Sequence, residues 1–420
     1  MVKGQIKEQD RLLDQSSLLS IQKDLSGKTR RSDIALIALF LTIVFGLSVA
    51  FFIIPDKDFS EEENRVLQGT PSISSPGKFA DRLISGKYTS EIAKYYADQF
   101  PLRDSFVGLK AAVVLGLGGR ENNSIIVGDG GRLAELPASF SEETVKKNTD
   151  VLISFAKVAE SLGADFTAVA APRSADVFTP FISSPSPLIY TEETRQAISG
   201  GLSAAKYIDL FDTLVPGIAE GEYLYYRTDH HWTTLGAYYG YCELVKSFGI
   251  TPYSLDDFTI STVSSEFYGT AWSKAGMKWI SPDEMQFFRY DGDDLFTTVL
   301  ENKEETAFDG FYNESYLDKK DKYAAFLSGN NGRVTVTLGY GHGESRPREK
   351  MLIIKDSFAH AMVPFLARHF DLEIIDLRYY KSSVSDLIKE CGISHVVAIY
   401  NYDSFVTENS FNILRLSTEE

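Results

Sequence analysis

Two short strings in this chain carry residue types able to move a proton and an acyl group. The first is Thr228-Asp229-His230-His231-Trp232-Thr233, which local patterning places between a strand and a helix. In an extended segment residues i and i+2 project to the same side, which predicts that Asp229 and His231 point together and His230 away. A carboxylate beside an imidazole holds its tautomer and stabilises the imidazolium formed when the ring takes a proton. The second string is Lys355-Asp356-Ser357-Phe358, where the strand MLIIK runs into a helix with Ser357 at the junction. A serine there lies beside helix N-terminal amides able to bind an oxyanion. Plainer roles exist for the same residues: Asp229 could cap the helix while both histidines pack, and serine and aspartate are preferred N-caps. Neighbouring histidines rarely ligate one ion, and no HxxxH or CxxC accompanies them, so no metal is expected. In combination, Asp-x-His at one strand–helix junction and a serine at another are the parts of an acyl-transfer triad, in any chain order. His360, three residues beyond Ser357, competes as a base, but the pairing with Asp229 favours His231.

The elements that must position these residues alternate. SEETVKKNTDVLISFAKVAESLG has helical periodicity behind a serine cap, ADFTAVAAP reads as a buried strand, TEETRQAISGGLSAAK as a helix and YIDLF as a strand. YLYY is read as a strand before the helix TTLGAYYGYCELVKSFG. Late in the chain MLIIK, LEIIDL and HVVAIYNY read as strands, with FAHAMVPFLARHF and SVSDLIKECG as helices between them. Such alternation predicts an α/β fold whose mostly parallel sheet is covered on both faces. Residues 254–349, acidic and aromatic, break the pattern and are expected to form an inserted subdomain or lid. Residues 77–118 read as helical with a break at Pro101, and 122–133 as a hairpin around Gly128-Asp129-Gly130-Gly131.

Charge divides the chain. Residues 1–33 carry seven Lys/Arg and five Asp/Glu, Ile34–Ile54 carries none, and the remainder is strongly acidic within a net charge of −16 over 420 residues. An acidic body repels phosphate backbones, so nucleic acid is not an expected partner. The uncharged stretch is long enough to cross a ~30 Å hydrocarbon core and is read as an uncleaved transmembrane helix. Lys28, Arg30 and Arg31 precede it and Asp56, Asp58 and Glu61–Glu63 follow, so positive-inside logic puts residues 1–33 in the cytoplasm and the large domain outside. The expected organisation is a tail at 1–33, a transmembrane helix at 34–54, a linker at 55–75 and an extracytoplasmic domain at 76–410. The two cysteines, Cys242 and Cys391, form one bridge at most and do not reveal the redox compartment.

The string TDHHWTTLGAYYGY resembles the signature of the DHHW proteins, relatives of the alginate O-acetylation proteins in the SGNH hydrolase superfamily. The resemblance extends over about residues 56–410, through DQFPLRDSFVGLKAA, APRSADVF, FYGTAWSKAGMKWISPDEM, YLDKKDKYAAFLSGNN and KDSFAHAMVPFLARHF. It implies an SGNH-like α/β/α sandwich with Asp229, His231 and Ser357 as the triad and Ser357 as nucleophile. Relatives often carry a glycine before the Asp-Ser pair, where this chain has Lys355, a difference that bears on the oxyanion hole. The implied activity is a single-pass, extracytoplasmic O-acetyltransferase. It would act on a cell-surface or secreted polysaccharide, with a membrane-bound O-acyltransferase as acetyl-donor partner and no cofactor. A carbohydrate esterase using the same triad, and a catalytically silent scaffold of a polysaccharide export complex, are the competing readings. Further substrate-binding candidates each have a plainer role. Arg173 could pair with an acid, Asn330 could sit in a turn, Tyr268 and Trp272 could pack in the core, and Arg378 could make a structural ion pair.

Overall fold

The computed structural model describes residues 32–60, 65–73, 76–178, 189–301, 305–339 and 348–417. The basic flank Lys28, Arg30 and Arg31, the acidic Glu61–Glu63 and the end of the expected insertion at 340–347 lie outside the described residues. The chain forms two compact units, one ending at Phe106 and one beginning at Val107.

The first unit opens with an apolar helix, Ser32–Ile53, long enough to cross a membrane and lying near the N-terminus, as an anchor or a signal sequence would. A two-strand ladder, Phe59–Ser60 with Arg65–Val66, and the helices Pro76–Ile84 and Lys87–Gln99 follow. Asp98 is buried within this unit and accepts from both terminal nitrogens of Arg65 and from the Gln68 amide. Those bonds hold its carboxyl below the usual range. The break expected at Pro101 separates Lys87–Gln99 from the helix Arg103–Gly116.

The second unit is built on a mixed sheet of eight strands, numbered here along the chain: β1 Asp165–Ala171, β2 Lys206–Asp209, β3 Phe296–Glu301, β4 Glu305–Asp309, β5 Arg333–Leu338, β6 Lys350–Lys355, β7 Asp371–Ile375 and β8 His395–Asn401. Their order is β4-β3-β5-β7-β6-β8-β1-β2. The five strands from β7 to β2 are parallel, and β5, β3 and β4 continue the sheet antiparallel. The parallel strands are near-continuous apolar runs because both of their faces are covered. Met351, Ile353, Val397 and Ile399 enter one core with the helix Thr234–Ser247, while Leu352, Ile354, Val396 and Ala398 enter another with the helix Glu142–Ser161. Of residues 254–349, Thr259–Phe267 and Asp283–Arg289 pair with each other in a separate two-stranded sheet, whereas later strands join the large one. FTTVLE and RVTVTL alternate apolar and polar, and both are hydrogen-bonded into it as β3 and β5. YLYY is not a strand: Tyr225 makes a lone bridge with Trp232, which closes a loop.

Candidate active site

The carboxyl ends of four neighbouring parallel strands carry the polar side chains, as expected where parallel strands leave a crevice. β6 leads into Ser357, β8 ends at Asn401, β1 leads into Arg173, and β7 is followed by Asp376 and Arg378. Ser357 opens a 3-10 helix, Ser357–Met362, whose cap is Asp356 rather than the serine. Asp356 accepts from the Phe358 amide (2.9 Å), the Asn401 amide (2.7 Å) and the Ser404 hydroxyl (2.8 Å), pinning the end of β6 to the end of β8. The Phe358 amide is thereby consumed. Ser357's own amide, the first of the helix, has no intrahelical acceptor.

The strings at 228–233 and 355–358 meet. His231 Nε2 lies 2.7 Å from Ser357 Oγ and His231 Nδ1 lies 2.5 Å from Asp229 Oδ1. Asp229 Oδ1 also accepts the His231 backbone amide at 2.9 Å, so one oxygen orients both the backbone and the ring. Asp229 Oδ2 accepts the Thr270 amide at 2.8 Å and is 3.2 Å from its hydroxyl. Each remaining letter of the string has a fixing role. Thr228 bonds Asp283 through its amide and hydroxyl, Trp232 Nε1 donates to the Phe358 carbonyl at 2.9 Å, and Thr233 caps the next helix. Tyr323 closes the far side, its ring stacked on His231 at 3.9 Å and 8°.

His230 departs from expectation. Residues 227–231 bend rather than extend, so its ring lies 3.8 Å from that of His231 instead of pointing away, and its Nδ1 is 2.6 Å from Thr270 Oγ1. One ligand atom each from Asp229, His230 and His231 fall within 4.8 Å of one another. Both ring nitrogens of His231 are already committed to Asp229 and Ser357, however, so the group forms a hydrogen-bond relay rather than a set converging on an ion.

The electrostatics separate the members of the relay. Burial alone would raise Asp229, but the positive character of His231 and His230 and the bonds from His231 and Thr270 hold its carboxyl well below the usual range. Burial and the neighbouring His230 lower His231, opposed by Asp229, so the ring is neutral near neutral pH. His360 is not a rival base. Its Nε2 lies 2.7 Å from Lys355 Nζ, which can only donate, so that nitrogen is an acceptor already in use. Burial and the Lys355 charge push His360 well below the ordinary histidine value.

The other candidates divide. Asn330 Oδ1 accepts from Lys355 Nζ at 3.4 Å and Arg378 Nη2 at 3.2 Å, which leaves its NH2 end for a ligand. Lys355, buried, also reaches Asp376 at 3.2 Å, and burial lowers its amine to about 8. Arg378 pairs with Asp376 at 2.6 Å and 2.9 Å. Arg173 is buried in a structural pair with Asp176 (2.7 Å) and Asp403 (3.1 Å). Tyr268 and Trp272 lie against each other at 4.6 Å, half-buried, on the segment that carries Thr270. The sequence reading missed Thr270 and Tyr323, which lie 41 and 94 residues from Asp229 and are joined to the relay only by folding.

The family described as DHHW protein matches residues 214–375, so the resemblance drawn from the motif holds over the stretch that contains Asp229, His231 and Ser357. No curated protein matches the chain. Among solved structures, a DHHW family protein from Eubacterium siraeum is 21% identical, covering 70% of this chain and 96% of that one, with a TM-score of 0.55. Bacillus cereus PatB1, solved with a sulfonyl adduct, is 19% identical over 69% of this chain and 97% of its own, with a TM-score of 0.58. These likenesses establish a shared α/β fold.

Proposed function

We propose that the chain is a membrane-anchored O-acetyltransferase that moves an acetyl group through Ser357 to hydroxyls of a cell-surface or secreted polysaccharide. The observation that carries this reading is the unbroken relay from Asp229 through both nitrogens of His231 to Ser357 Oγ. Ser357 Oγ attacks the acetyl carbonyl carbon while its proton passes to His231 Nε2. The tetrahedral oxyanion then collapses, and the leaving group departs with that proton. A sugar hydroxyl next gives its proton to His231, attacks the acyl-serine and takes the acetyl group, and Ser357 recovers its proton. Asp229 stays ionised throughout and stabilises the imidazolium. The Ser357 amide and the NH2 of Asn330 are the donors suited to the oxyanion.

The fold reading that goes with this function is an SGNH-like α/β/α sandwich. The DHHW resemblance supports the acetyl group and the polysaccharide as acceptor. In this reading residues 34–54 stay uncleaved as the span, residues 1–33 are cytoplasmic, and a membrane-bound O-acyltransferase delivers the acetyl group from the membrane. Spheroplast proteolysis tests the topology, and protection of the large domain would refute it.

The chemical test uses the full chain in detergent with an activated acetyl ester. One acetyl group is expected on Ser357 by peptide mass mapping, accumulating without acceptor and lost on adding an oligosaccharide. Ser357→Ala should form no adduct and unfold at the wild-type temperature, since Asp356 supplies the cap. Rapid decay of the adduct in water alone would make the protein an esterase. No adduct from any ester, with polymer acetylation unchanged in Ser357→Ala, would make it a scaffold.

A further inference from the structure

We propose that the segment Tyr95–Phe106 forms an aromatic collar seated in the lipid headgroup layer of the leaflet at which the apolar helix ends. The inference rests on reading Ser32–Ile53 as a membrane span, and the partner it names is the bilayer surface itself. A helix of 22 residues rises ~33 Å, close to the ~30 Å hydrocarbon thickness. Its last turn therefore reaches the boundary of the hydrocarbon.

Phe51 lies in that last turn. Its ring stacks on Tyr96 at 5.1 Å and meets Tyr95 edge-on at 5.8 Å. The helix Lys87–Gln99 is thus held at the exit of the span, and polar bonds fix it there. The Tyr95 hydroxyl donates to Asp56 at 3.1 Å, and Gln99 exchanges two bonds with the Lys57 backbone, at 2.9 Å and 3.0 Å. Tyrosines with an apolar ring and a wet hydroxyl are the side chains that occupy membrane–water interfaces.

The same segment continues the apolar surface. Tyr96 is 52% exposed, Phe100 41%, Leu102 67% and Phe106 43%, and the rings of Phe100 and Phe106 meet at 5.7 Å. Leu102 adopts φ 59°, a left-handed conformation that costs a bulky residue free energy. The elbow Phe100-Pro101-Leu102 therefore spends strain to turn apolar side chains outward. Exposed clusters of this kind mark interaction surfaces, and the bonds to Phe51, Asp56 and Lys57 fix which surface lies beside this one.

The test uses the full chain reconstituted in phosphatidylcholine vesicles, with Cys391→Ser and Cys242→Ala removing the native thiols. A nitrobenzoxadiazole label is placed at Phe100→Cys, at Phe106→Cys and, as reference, at Ile43→Cys in mid-span. The collar predicts blue-shifted emission at 100 and 106, quenching by lipids carrying a headgroup-proximal nitroxide, and loss of quenching by aqueous iodide. If the Ile43 label is lipid-quenched while labels at 100 and 106 emit as in water and remain open to iodide, the collar is refuted and the span stands. If the Ile43 label is itself open to iodide, the span reading falls and the collar with it.

Discussion

Asp229→Asn replaces one carboxylate oxygen at the centre of the site by an NH2 group and has two structural outcomes, one for each orientation of the amide. The native carboxylate is surrounded by donors alone: Oδ1 accepts the amide and ring N–H of His231, and Oδ2 accepts the amide of Thr270. An asparagine has one acceptor end and one donor end. If its oxygen stays on His231, its NH2 faces the Thr270 amide across 2.8 Å, and a part-buried N–H loses its acceptor. That costs about 1–3 kcal/mol of stability. If the amide flips, its NH2 faces His231 Nδ1, which must then accept, and the ring proton moves to Nε2. Nε2 then donates to Ser357 Oγ and cannot take its proton. Loss of this kind from the wrong tautomer is on the order of 10⁴ in kcat, or about 5.4 kcal/mol at 1.36 kcal/mol per decade. Even without a flip the imidazolium loses its counter-charge, and after a flip the His231 amide is the N–H left without an acceptor, so rate and stability fall in both cases and the size of the rate loss reports the rotamer. The assay is turnover of an activated acetyl ester, with thermal unfolding measured on the same sample. Activity within tenfold of wild type at an unchanged Tm would refute the reasoning, because it would mean that Asp229 neither orients nor charges His231.

Gly269→Ala tests the wall behind Asp229: a Cβ there would stand 2.2 Å from Asp229 Cβ and 2.4 Å from Oδ2. Neither neighbour is the tip of a flexible chain, so a cost of about 1–3 kcal/mol from overpacking is expected, with reduced turnover as Asp229 shifts, and wild-type Tm and rate would contradict it. The pH profile follows from His231, whose pKa lies below the ordinary 6.5 because of burial and His230. In the proposed mechanism the neutral ring is the base, so kcat/KM should hold as pH falls through 6.5 and decline only below it; an acid limb centred above 6.5 would refute this. Stability should behave with the same sign. His231, His360 and His369, the last lowered to about 4, bind protons in the unfolded chain before they do in the folded one. Unfolding is therefore favoured as pH drops from about 6.5 toward 4, and a Tm that rises on acidification across that window would overturn the assignment.

The parallel strands were legible because strands covered on both faces must be apolar almost without interruption, and MLIIK and HVVAIYNY could not have been placed at a surface. The antiparallel half was not. FTTVLE and RVTVTL alternate as half-buried strands do, but alternation does not say which sheet a strand joins. The helix Phe211–Ala219 escaped because its sequence, FDTLVPGIA, holds Pro216 and Gly217, which read as a break. The string around Asp229 reads as an extended link between the strand YLYY and the next helix, whereas the backbone bridges only at Tyr225 and Trp232, on either side of a bend. That bend is also why His230 folds onto the site instead of away from it.

The two histidines near Ser357 show where sequence spacing stops and packing decides. His360 is three residues from Ser357 and His231 is 126 residues away, so proximity along the chain favours the ring that is not hydrogen-bonded to the serine. What separates them is the partner of each Nε2. On His231 it is the serine hydroxyl, with a carboxylate behind the ring to hold a positive charge. On His360 it is the ammonium of Lys355, itself paired with Asp376, so a proton arriving on that ring would meet a buried cation. Lys355 thus does more than fill space. It silences one imidazole, and through Asn330 Oδ1 it orients the amide suited to the oxyanion. A glycine at position 355 would leave His360 Nε2 without its donor and Asp376 without one of its cations, with burial and the charges of His231 and Arg378 left to hold His360 neutral.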